Sequence, residues 1–261
     1  MEVLEALLCA IANDPNRKRN YILRGSMLYR QRIDRNRTVK DMDIFIRASY
    51  FDDHNFRNVE NLLTEVKDII HLTNNGRSEC SGVIELVDTF SGYFDATFVI
   101  VVNLKCVQND GKILLTSFDV GRDCDEIPIE PFIYSTVKGE QIEISVSPIF
   151  VSIAWKTQIL FRGCWRAKDV YDLSYLIANH VRNINMTYFC KTFKSIMEYR
   201  KISLQNLELV RNRKFGQSKS AKRKWRKWQE RNGMHSVNME DTWKCVFDWM
   251  DTWIEHVYTR Y

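Results

Sequence analysis

Hydrophobic and polar positions divide the chain into two parts with different periodicities. Before residue 146, stretches with helical spacing of apolar residues alternate with short apolar or alternating stretches typical of strands. The predicted helices are 3–12 and 55–70, and the predicted strands are 83–87, 93–102, 104–107, 113–115 and 141–146. Ser147-Pro148 is a favourable helix start, and the spacing after it is helical almost throughout. We therefore predict an α+β chain, with an α/β domain at 1–146 and a helical domain at 147–261.

Turn signals and aromatic positions refine this outline. Asn109-Asp110-Gly111 predicts a tight hairpin, and Ser91-Gly92 predicts a turn between the first two strands. In the second part the predicted helices are 166–179, 186–199 and 239–258. The tryptophans of the last helix lie on a broad apolar face, so we expect them to anchor a core rather than form a binding platform.

The stretch 21–46 reads YILRGSMLYRQRIDRNRTVKDMDIFI and combines two motifs. Gly25 and Ser26 follow a short apolar run, and such a pair at a helix start offers backbone N–H groups and a hydroxyl to a phosphate. After fourteen intervening residues come Asp41 and Asp43. Their alternate positions along a strand direct both carboxylates to one side. One or two carboxylates and substrate phosphates typically hold Mg²⁺. Together the motifs predict phosphoryl or nucleotidyl transfer.

Each motif also has a structural explanation. Asp-x-Asp at a strand edge is common, and Gly-Ser is a routine turn or helix cap. Because short motifs often occur by chance, this pair alone leaves the structural and the catalytic interpretation open.

The composition limits the class of protein. At 261 residues, with 45% hydrophobic and 27% charged positions, the chain suits a globular protein of one large domain or two small ones. No apolar run approaches the roughly 20 residues that span a bilayer. Two acids among the first eight residues argue against a secretory signal, and seven scattered cysteines argue against a disulfide framework or a zinc site. We expect a cytoplasmic protein with no membrane partner.

Two features of the helical part bear on the motif pair. Lys156 lies on the apolar face of its predicted helix, where a lysine either snorkels to solvent or points to an anion in a cleft. Further along, Arg166-Ala-Lys-Asp169-Val-Tyr-Asp172-Leu places two acids three residues apart, as neighbours on one helix. Alone, these acids also fit a helix N-terminal cluster stabilised by the helix dipole.

Taken in order, the four motifs resemble a known family. Gly-Ser, Asp-x-Asp, a helical lysine and Arg-x-Lys-Asp-x-Tyr-Asp-Leu are similar to the AbiEii/AbiGii nucleotidyltransferase-like toxins of the DNA polymerase β-like nucleotidyltransferase superfamily. The likeness covers about 21–176, and the lysine helix followed by the acidic helix is its most specific part. It implies a nucleotidyltransferase fold in the first domain, with a mixed twisted sheet flanked by helices. It also implies a C-terminal helical bundle that contributes Lys156 and Asp169 to the cleft.

The resemblance also implies roles on the nucleotide side. Gly25 and Ser26 would hold the triphosphate of the incoming nucleotide. Asp41 and Asp43 would bind Mg²⁺, or Mn²⁺ in its place. Lys156 would contact the nucleotide and neutralise phosphate charge, which explains a lysine on an apolar face.

Further acids complete the implied site. Asp169 would orient the attacking hydroxyl or assist its deprotonation, and Asp172 would have a structural role. Superfamily members often carry a third carboxylate on a strand after the Asp-x-Asp strand. Asp95 is the only acid within the predicted strand 93–102 and is costly between phenylalanines unless paired or functional. We expect Asp95 to be a third metal ligand or the general base.

The reaction implied is in-line attack of an acceptor hydroxyl on the α-phosphate of a nucleoside triphosphate, with release of pyrophosphate. Transfer of the γ-phosphoryl group to a protein uses many of the same parts, and the sequence leaves it open.

A basic segment suggests the acceptor. Residues 211–231 contain ten Lys or Arg and one acid, with Trp225 and Trp228 interleaved. One interpretation is an RNA contact, including a tRNA 3′ end, with cations on phosphates and tryptophan on bases. The other is a solvated helix or loop whose tryptophans pack inward. The residues that would contact nucleic acid are Lys222, Arg223, Lys224, Arg226 and Lys227.

The leading hypothesis is a Mg²⁺-dependent nucleotidyltransferase of toxin type that acts on RNA and has a cognate antitoxin. A second is nucleotide transfer to a protein or a small hydroxylated molecule, which would need an acidic acceptor pocket in the latter case. A third is a degenerate transferase fold that only binds nucleic acid or an antitoxin.

Overall fold

The computed structural model describes residues 1–34, 38–50, 59–76, 82–94, 97–123, 127–162, 165–203 and 218–259. The chain forms two compact units, Met1–Ser147 and Pro148–Tyr261. The first unit contains a seven-stranded sheet with helices, and the described residues of the second unit are helices and their connections. In the described part of the chain, no helix is both long and apolar enough to cross a membrane.

The first unit is a mixed sheet flanked by helices, which agrees with the predicted α+β class. Its helices are α1 (Glu2–Asn13), α2 (Pro15–Asn20), α3 (Gly25–Arg32) and α4 (Val59–Asn75). Its strands are β1 (Tyr21–Arg24), β2 (Asp41–Arg47), β3 (Gly82–Phe94), β4 (Thr97–Gln108), β5 (Ile113–Asp123), β6 (Glu130–Ser135) and β7 (Gln141–Val146). They follow the order β3-β4-β5-β2-β1-β7-β6. The pairs β2–β5 and β1–β7 are parallel and the others antiparallel.

The core of the first unit lies on one face of the sheet. In β2 the alternate residues Met42, Ile44 and Ile46 are at most 1% exposed and join a cluster with apolar residues of α1 and α4. Burial of this face removes apolar surface from water and fixes the strand register. The residues between them, among them Asp41 and Asp43, therefore project from the opposite face of the sheet.

One predicted hairpin is confirmed and one predicted turn is wrong. Gly111 has φ +79°, and the Gln108 amide donates to the Lys112 carbonyl at 2.9 Å, as expected for Asn-Asp-Gly. The expected turn at Ser91-Gly92 does not occur, because Gly92 is in an extended strand paired with Val99. β3 therefore continues to Phe94, so the predicted strand 93–102 starts inside β3. Its residues 97–102 and the predicted strand 104–107 belong to the single strand β4. β6 was not predicted.

The second unit begins with a helix whose start differs in detail from the prediction. Its helices are α5 (Ile149–Phe161), α6 (Ala167–His180), α7 (Met186–Tyr199), α8 (Lys219–Asn232) and α9 (Met239–Thr259). Pro148, not Ser147, is the N-cap of α5. The Ser147 hydroxyl instead accepts a hydrogen bond from Arg24 Nε at 3.0 Å.

Aromatic packing forms the core of the second unit, as expected for the tryptophans of the last helix. Trp253 is fully buried, and its ring lies 4.8 Å from that of Phe193 and 5.5 Å from that of Phe189 between centroids. Trp243 and Trp249 are also buried. Large aromatic rings on α7 and α9 therefore hold these helices together.

Candidate active site

The start of α3 touches the second carboxylate of the Asp-x-Asp motif. Gly25 is the first residue of α3 and has φ +62°, a backbone conformation that favours glycine. A β-carbon at this position would overlap the Asp43 carboxylate. Glycine is therefore required both by the backbone and by the side chain that lies against it. Backbone N–H groups at a helix N-terminus favour an anion, and a carboxylate favours a cation. Their close approach here brings both kinds of group together.

The first carboxylate of the motif is held by the neighbouring serine. Ser26 is 3% exposed, and its hydroxyl lies 2.7 Å from Asp41 Oδ1 and 2.9 Å from the Asp41 carbonyl oxygen. The hydroxyl donates to these oxygens and so fixes the orientation of Asp41. The sequence predicted that Ser26 would serve a phosphate, which stays a prediction. The structure adds a link between the two motifs.

A third carboxylate lies beside the first two, on the next strand. β5 runs parallel to β2, and Asp119 is the register partner of Asp43. Asp119 Oδ1 is buried and has no hydrogen-bond partner among the described residues. Burial, with Asp43 and then Asp41 nearby, raises the pKa of Asp119 to about 7. Burial and the two neighbouring carboxylates disfavour the charged form of Asp119, and such a group of acids on adjacent strands is a candidate site for a cation.

Asp119 is a third acid that the structure places next to Asp-x-Asp. Asp95 lies outside the described residues, between the end of β3 and the start of β4, so its predicted role stays a prediction. Sequence reasoning missed Asp119 because the predicted strand 113–115 stopped too early. The alternation of Ser117, Phe118 and Asp119 continues the strand and was the signal that could have found it.

The carboxylates beside α3 fit a Mg²⁺ ion that takes only some of its ligands from the protein. Among the described residues, no three His, Cys, Asp or Glu side chains form a ready metal cage. Mg²⁺ commonly takes only one or two carboxylates and completes its shell with water and substrate phosphates. Asp41 and Asp43 beside a helix start, with the unpaired oxygen of Asp119 adjacent, match that chemistry.

In the second unit, the predicted lysine and acids form one buried ionic cluster. Lys156 on α5 is 9% exposed, and its Nζ donates to Asp169 Oδ1 at 2.7 Å and to Asp172 Oδ2 at 3.1 Å, both on α6. Arg166, at the start of α6, donates through Nε to Asp169 Oδ2 at 2.7 Å. Lys156, Asp169 and Asp172 thus pair with one another in a largely desolvated place, and Arg166 adds its charge from the exposed side.

Asp169 is the centre of this cluster. Burial alone would raise the pKa of Asp169, but Lys156 and the hydrogen bonds from Arg166 lower it well below its ordinary value. Asp169 therefore remains a carboxylate, suited to accepting hydrogen bonds from donors rather than to taking up a proton. Asp172 is fully buried and holds the lysine from the other side. Arg166 was not among the predicted site residues, although its side chain brackets the predicted acid.

The comparison with known proteins follows the same motifs. The model of one family, the nucleotidyl transferase AbiEii toxin of type IV toxin–antitoxin systems, matches residues 6–245. The chain belongs to the AbiEii family. The resemblance read from the four motifs is therefore confirmed, and it extends beyond the motifs to nearly the whole chain. Among curated proteins, none matches the chain.

In this AbiEii chain, the basic segment has two faces where it is described. On α8, Trp225 is 2% exposed, and the Trp228 ring lies 5.1 Å from the Trp225 ring and 5.2 Å from that of Tyr171 on α6. Trp225 therefore packs inward and is not available as a base-stacking platform, while the half-buried Trp228 packs against Trp225 and Tyr171. The cationic side chains lie on the exposed face and are Lys219, Lys222, Arg223, Lys224, Arg226, Lys227 and Arg231.

Proposed function

We propose that the protein is a Mg²⁺-dependent nucleotidyltransferase that transfers a nucleoside monophosphate from a nucleoside triphosphate to RNA, with a tRNA 3′ end as the first acceptor to test. The observation that carries the proposal is the juxtaposition of Asp41, Asp43 and Asp119 with the start of α3 at Gly25-Ser26. Membership of the AbiEii family of nucleotidyltransferase toxins supports it.

The donor nucleotide would lie on the α3 side of the carboxylates. The free N–H groups at the start of α3 would bind the triphosphate, and Gly25 lets the chain approach without a side chain. Asp41, oriented by the Ser26 hydroxyl, and Asp43 would hold Mg²⁺. When bound, the ion supplies charge stabilisation to the reacting phosphates.

The acceptor would lie on the opposite side. In-line transfer puts the attacking and leaving oxygens on opposite sides of the α-phosphorus. In the sheet order, Asp119 on β5 lies beyond β2, away from β1 and α3. A carboxylate there, with a buried oxygen that has no hydrogen-bond partner among the described residues, would accept the proton of the acceptor hydroxyl.

The proposal includes the second unit. In the proposal, Lys156 would present its ammonium group to the phosphates of a bound triphosphate, and Asp169 would orient the attacking hydroxyl. The pairing of Lys156 with two carboxylates supports a lysine that is held rigidly in one place. Its exposed neighbour Arg166 would contact phosphate as well.

The exposed cations of α8 support an RNA acceptor over a small molecule. Seven Lys or Arg residues face solvent on this one helix, and only Glu230 opposes them. Such a surface attracts a phosphate backbone regardless of sequence. A cognate antitoxin and a cytoplasmic location belong to the proposal because the family is one of toxin–antitoxin systems.

The test is transfer of label from each α-labelled nucleoside triphosphate to total RNA in the presence of Mg²⁺. We expect label in RNA with the native protein, and a loss on the order of 100-fold or more with Asp41→Asn, Asp43→Asn or Asp119→Asn. Asp110→Asn, in the exposed hairpin turn, is the matched control and should transfer normally. Chelation of Mg²⁺ should abolish transfer.

Other outcomes select other functions. Label on protein would indicate modification of the chain itself or of a partner. Binding of nucleotide without transfer to any acceptor would identify a binding module. Transfer that survives Asp43→Asn would contradict the proposed site.

A further inference from the structure

The face of the sheet that carries the carboxylates continues across two more strands. Asp43 on β2 pairs in register with Asp119 on β5, Asp119 with Val101 on β4, and Val101 with Phe90 on β3. Register partners on adjacent strands project to the same side of a sheet. Since adjacent strands lie about 4.8 Å apart, Phe90 lies about 10 Å across the sheet from Asp119.

Phe90 leaves most of its ring in solvent. It is 60% exposed, although it lies on a strand of the sheet that carries the site. The ring lies over Gly92, with its atoms 3.5 Å from where a β-carbon of that residue would be. A large aromatic side chain on a glycine surface, facing water, is typical of a stacking surface rather than of a core position.

The geometry of the proposed reaction, on which this inference rests, assigns this surface to the acceptor. In the proposal, the triphosphate lies next to β1 and α3. In the sheet order, β1 lies on the side of β2 that is away from β5, β4 and β3. The attacking hydroxyl must therefore approach over β5 and β4, and the nucleotide that carries it extends toward β3. An attacking ribose near Asp119 places its own base within reach of Phe90.

Charge favours a base over a phosphate at this place. Two residues before Phe90, Asp88 accepts a hydrogen bond from Asn103 at 2.6 Å, and Glu85 pairs with Lys105 at 3.3 Å. Both acids are exposed, and Asp88, whose partner Asn103 is neutral, would repel a phosphate. The flat, uncharged face of a base suits an aromatic ring bordered by such groups, and stacking of this kind tolerates any base.

We infer that Phe90 is the stacking platform for the base of the terminal nucleotide of a single-stranded RNA acceptor. It is a positioning residue: the stacked base orients the terminal ribose so that its hydroxyl faces the α-phosphate beside Asp119. The bond made is from this hydroxyl oxygen to the α-phosphorus, the bond broken is to the pyrophosphate oxygen, and the proton leaves through Asp119.

Photocrosslinking tests the platform without requiring catalysis. The full-length protein is irradiated with a single-stranded RNA oligonucleotide whose 3′-terminal base is 5-iodouridine, and the linked peptide is mapped by mass spectrometry. We expect the link at Phe90, its loss in Phe90→Ala and its return in Phe90→Trp. Ile133→Ala, a 51% exposed apolar position on β6, is the control and should link normally. A link that maps elsewhere, or that is unchanged in Phe90→Ala, overturns the inference.

Steady-state transfer to the same oligonucleotide, ending in ordinary uridine, separates the two proposals. We expect Phe90→Ala to lower kcat/KM for the oligonucleotide about 10- to 100-fold and Phe90→Trp to restore it, with KM for the nucleoside triphosphate unchanged. A raised KM for the triphosphate instead would assign Phe90 to the donor base and overturn the inference. If no variant transfers label but the link at Phe90 persists, the transferase proposal fails and the platform stands.

Discussion

At the scale of single residues, the site depends on side chains that constrain one another. Gly25 makes room for Asp43, and the Ser26 hydroxyl orients Asp41. In the second unit Asp169 accepts hydrogen bonds from both Lys156 and Arg166. None of these residues can be changed without leaving a neighbour displaced or a charge unpaired.

Replacement of Gly25 by alanine should damage stability and activity together. The positive φ alone costs on the order of 1 kcal/mol, and overlap of the new methyl group with Asp43 adds to it. We expect destabilisation of about 2 kcal/mol in urea unfolding and loss of nucleotidyl transfer. Gly139→Ala has a positive φ in open space and controls for backbone strain alone. Equal effects of the two variants would show that the contact with Asp43 does not matter.

Asp169→Asn should destabilise the protein in a pH-dependent way. Removal of one partner of a buried ion pair costs about 3 kcal/mol, because Lys156 then keeps only Asp172. The pKa of Asp169 is lower in the folded than in the unfolded chain, so its contribution is complete above the unfolded value of about 4 and declines as the pH falls below it.

Urea unfolding at pH 7 and at pH 3 checks this expectation. The difference between the native protein and Asp169→Asn should be smaller at pH 3. Asp248→Asn removes an exposed pair with Lys244 and should change little at either pH. A difference that is constant or larger in acid would contradict the proposed ion pairing.

At the scale of secondary-structure elements, periodicity predicted the helices well but missed features of the sheet that depend on pairing between strands. The helices 186–199 and 239–258 agree with α7 and α9 to within a residue, because each has a broad apolar face of its own. The prediction placed a turn at Gly92, because a glycine read without its neighbours is a turn signal. Only the pairing of Gly92 with Val99 on β4 shows that β3 continues through this residue. Asp119 was not predicted as a site residue because its proximity to Asp43 depends on the pairing of β2 with β5, which periodicity does not show.

The two faces of α8 should respond differently to substitution. Conversion of Lys222, Arg223, Lys224, Arg226 and Lys227 to glutamine should weaken RNA binding and lower the slope of log K against log salt by about 3, with little effect on unfolding. Trp225→Ala should cost about 3 kcal/mol of stability, because the ring is buried.

The measurement is RNA binding between low and moderate salt, with urea unfolding alongside. A matched control neutralises five exposed cations elsewhere, namely Lys67, Lys112, Arg182, Lys191 and Lys201. If both sets lowered the slope equally, net charge and not the α8 face would account for RNA binding.

At the scale of the whole molecule, the residues predicted to form the site belong to two compact units. The carboxylates and the glycine–serine pair belong to Met1–Ser147, and the lysine cluster belongs to Pro148–Tyr261. The motif order in the sequence was enough to associate them with one family, which the family match confirms. Periodicity and motif spacing alone could not have identified which strands bring the carboxylates together.

Mixing two inactive variants tests whether one chain contains a whole site. Lys156→Ala and Asp43→Asn should each abolish transfer, and an equimolar mixture should remain inactive if both residues act within the same chain. As a control, each variant is mixed with an excess of native protein, and transfer is measured to show that the variant does not inhibit the native protein. Recovery of about a quarter of native activity in the mixture would instead indicate a site shared between two chains.

The irregular pairing in β3 has a consequence for the behaviour of the protein in concentrated solution. β3 lies at one edge of the sheet and is thirteen residues long, so a regular β3 would offer a ready template to another molecule. Its register with β4 shifts between Leu86 and Asp88, and Glu85 and Asp88 add charge on either side of the shift. A bulge of this kind twists an edge away from a flat partner. The same strand that presents Phe90 to solvent is thereby made a poor nucleus for aggregation.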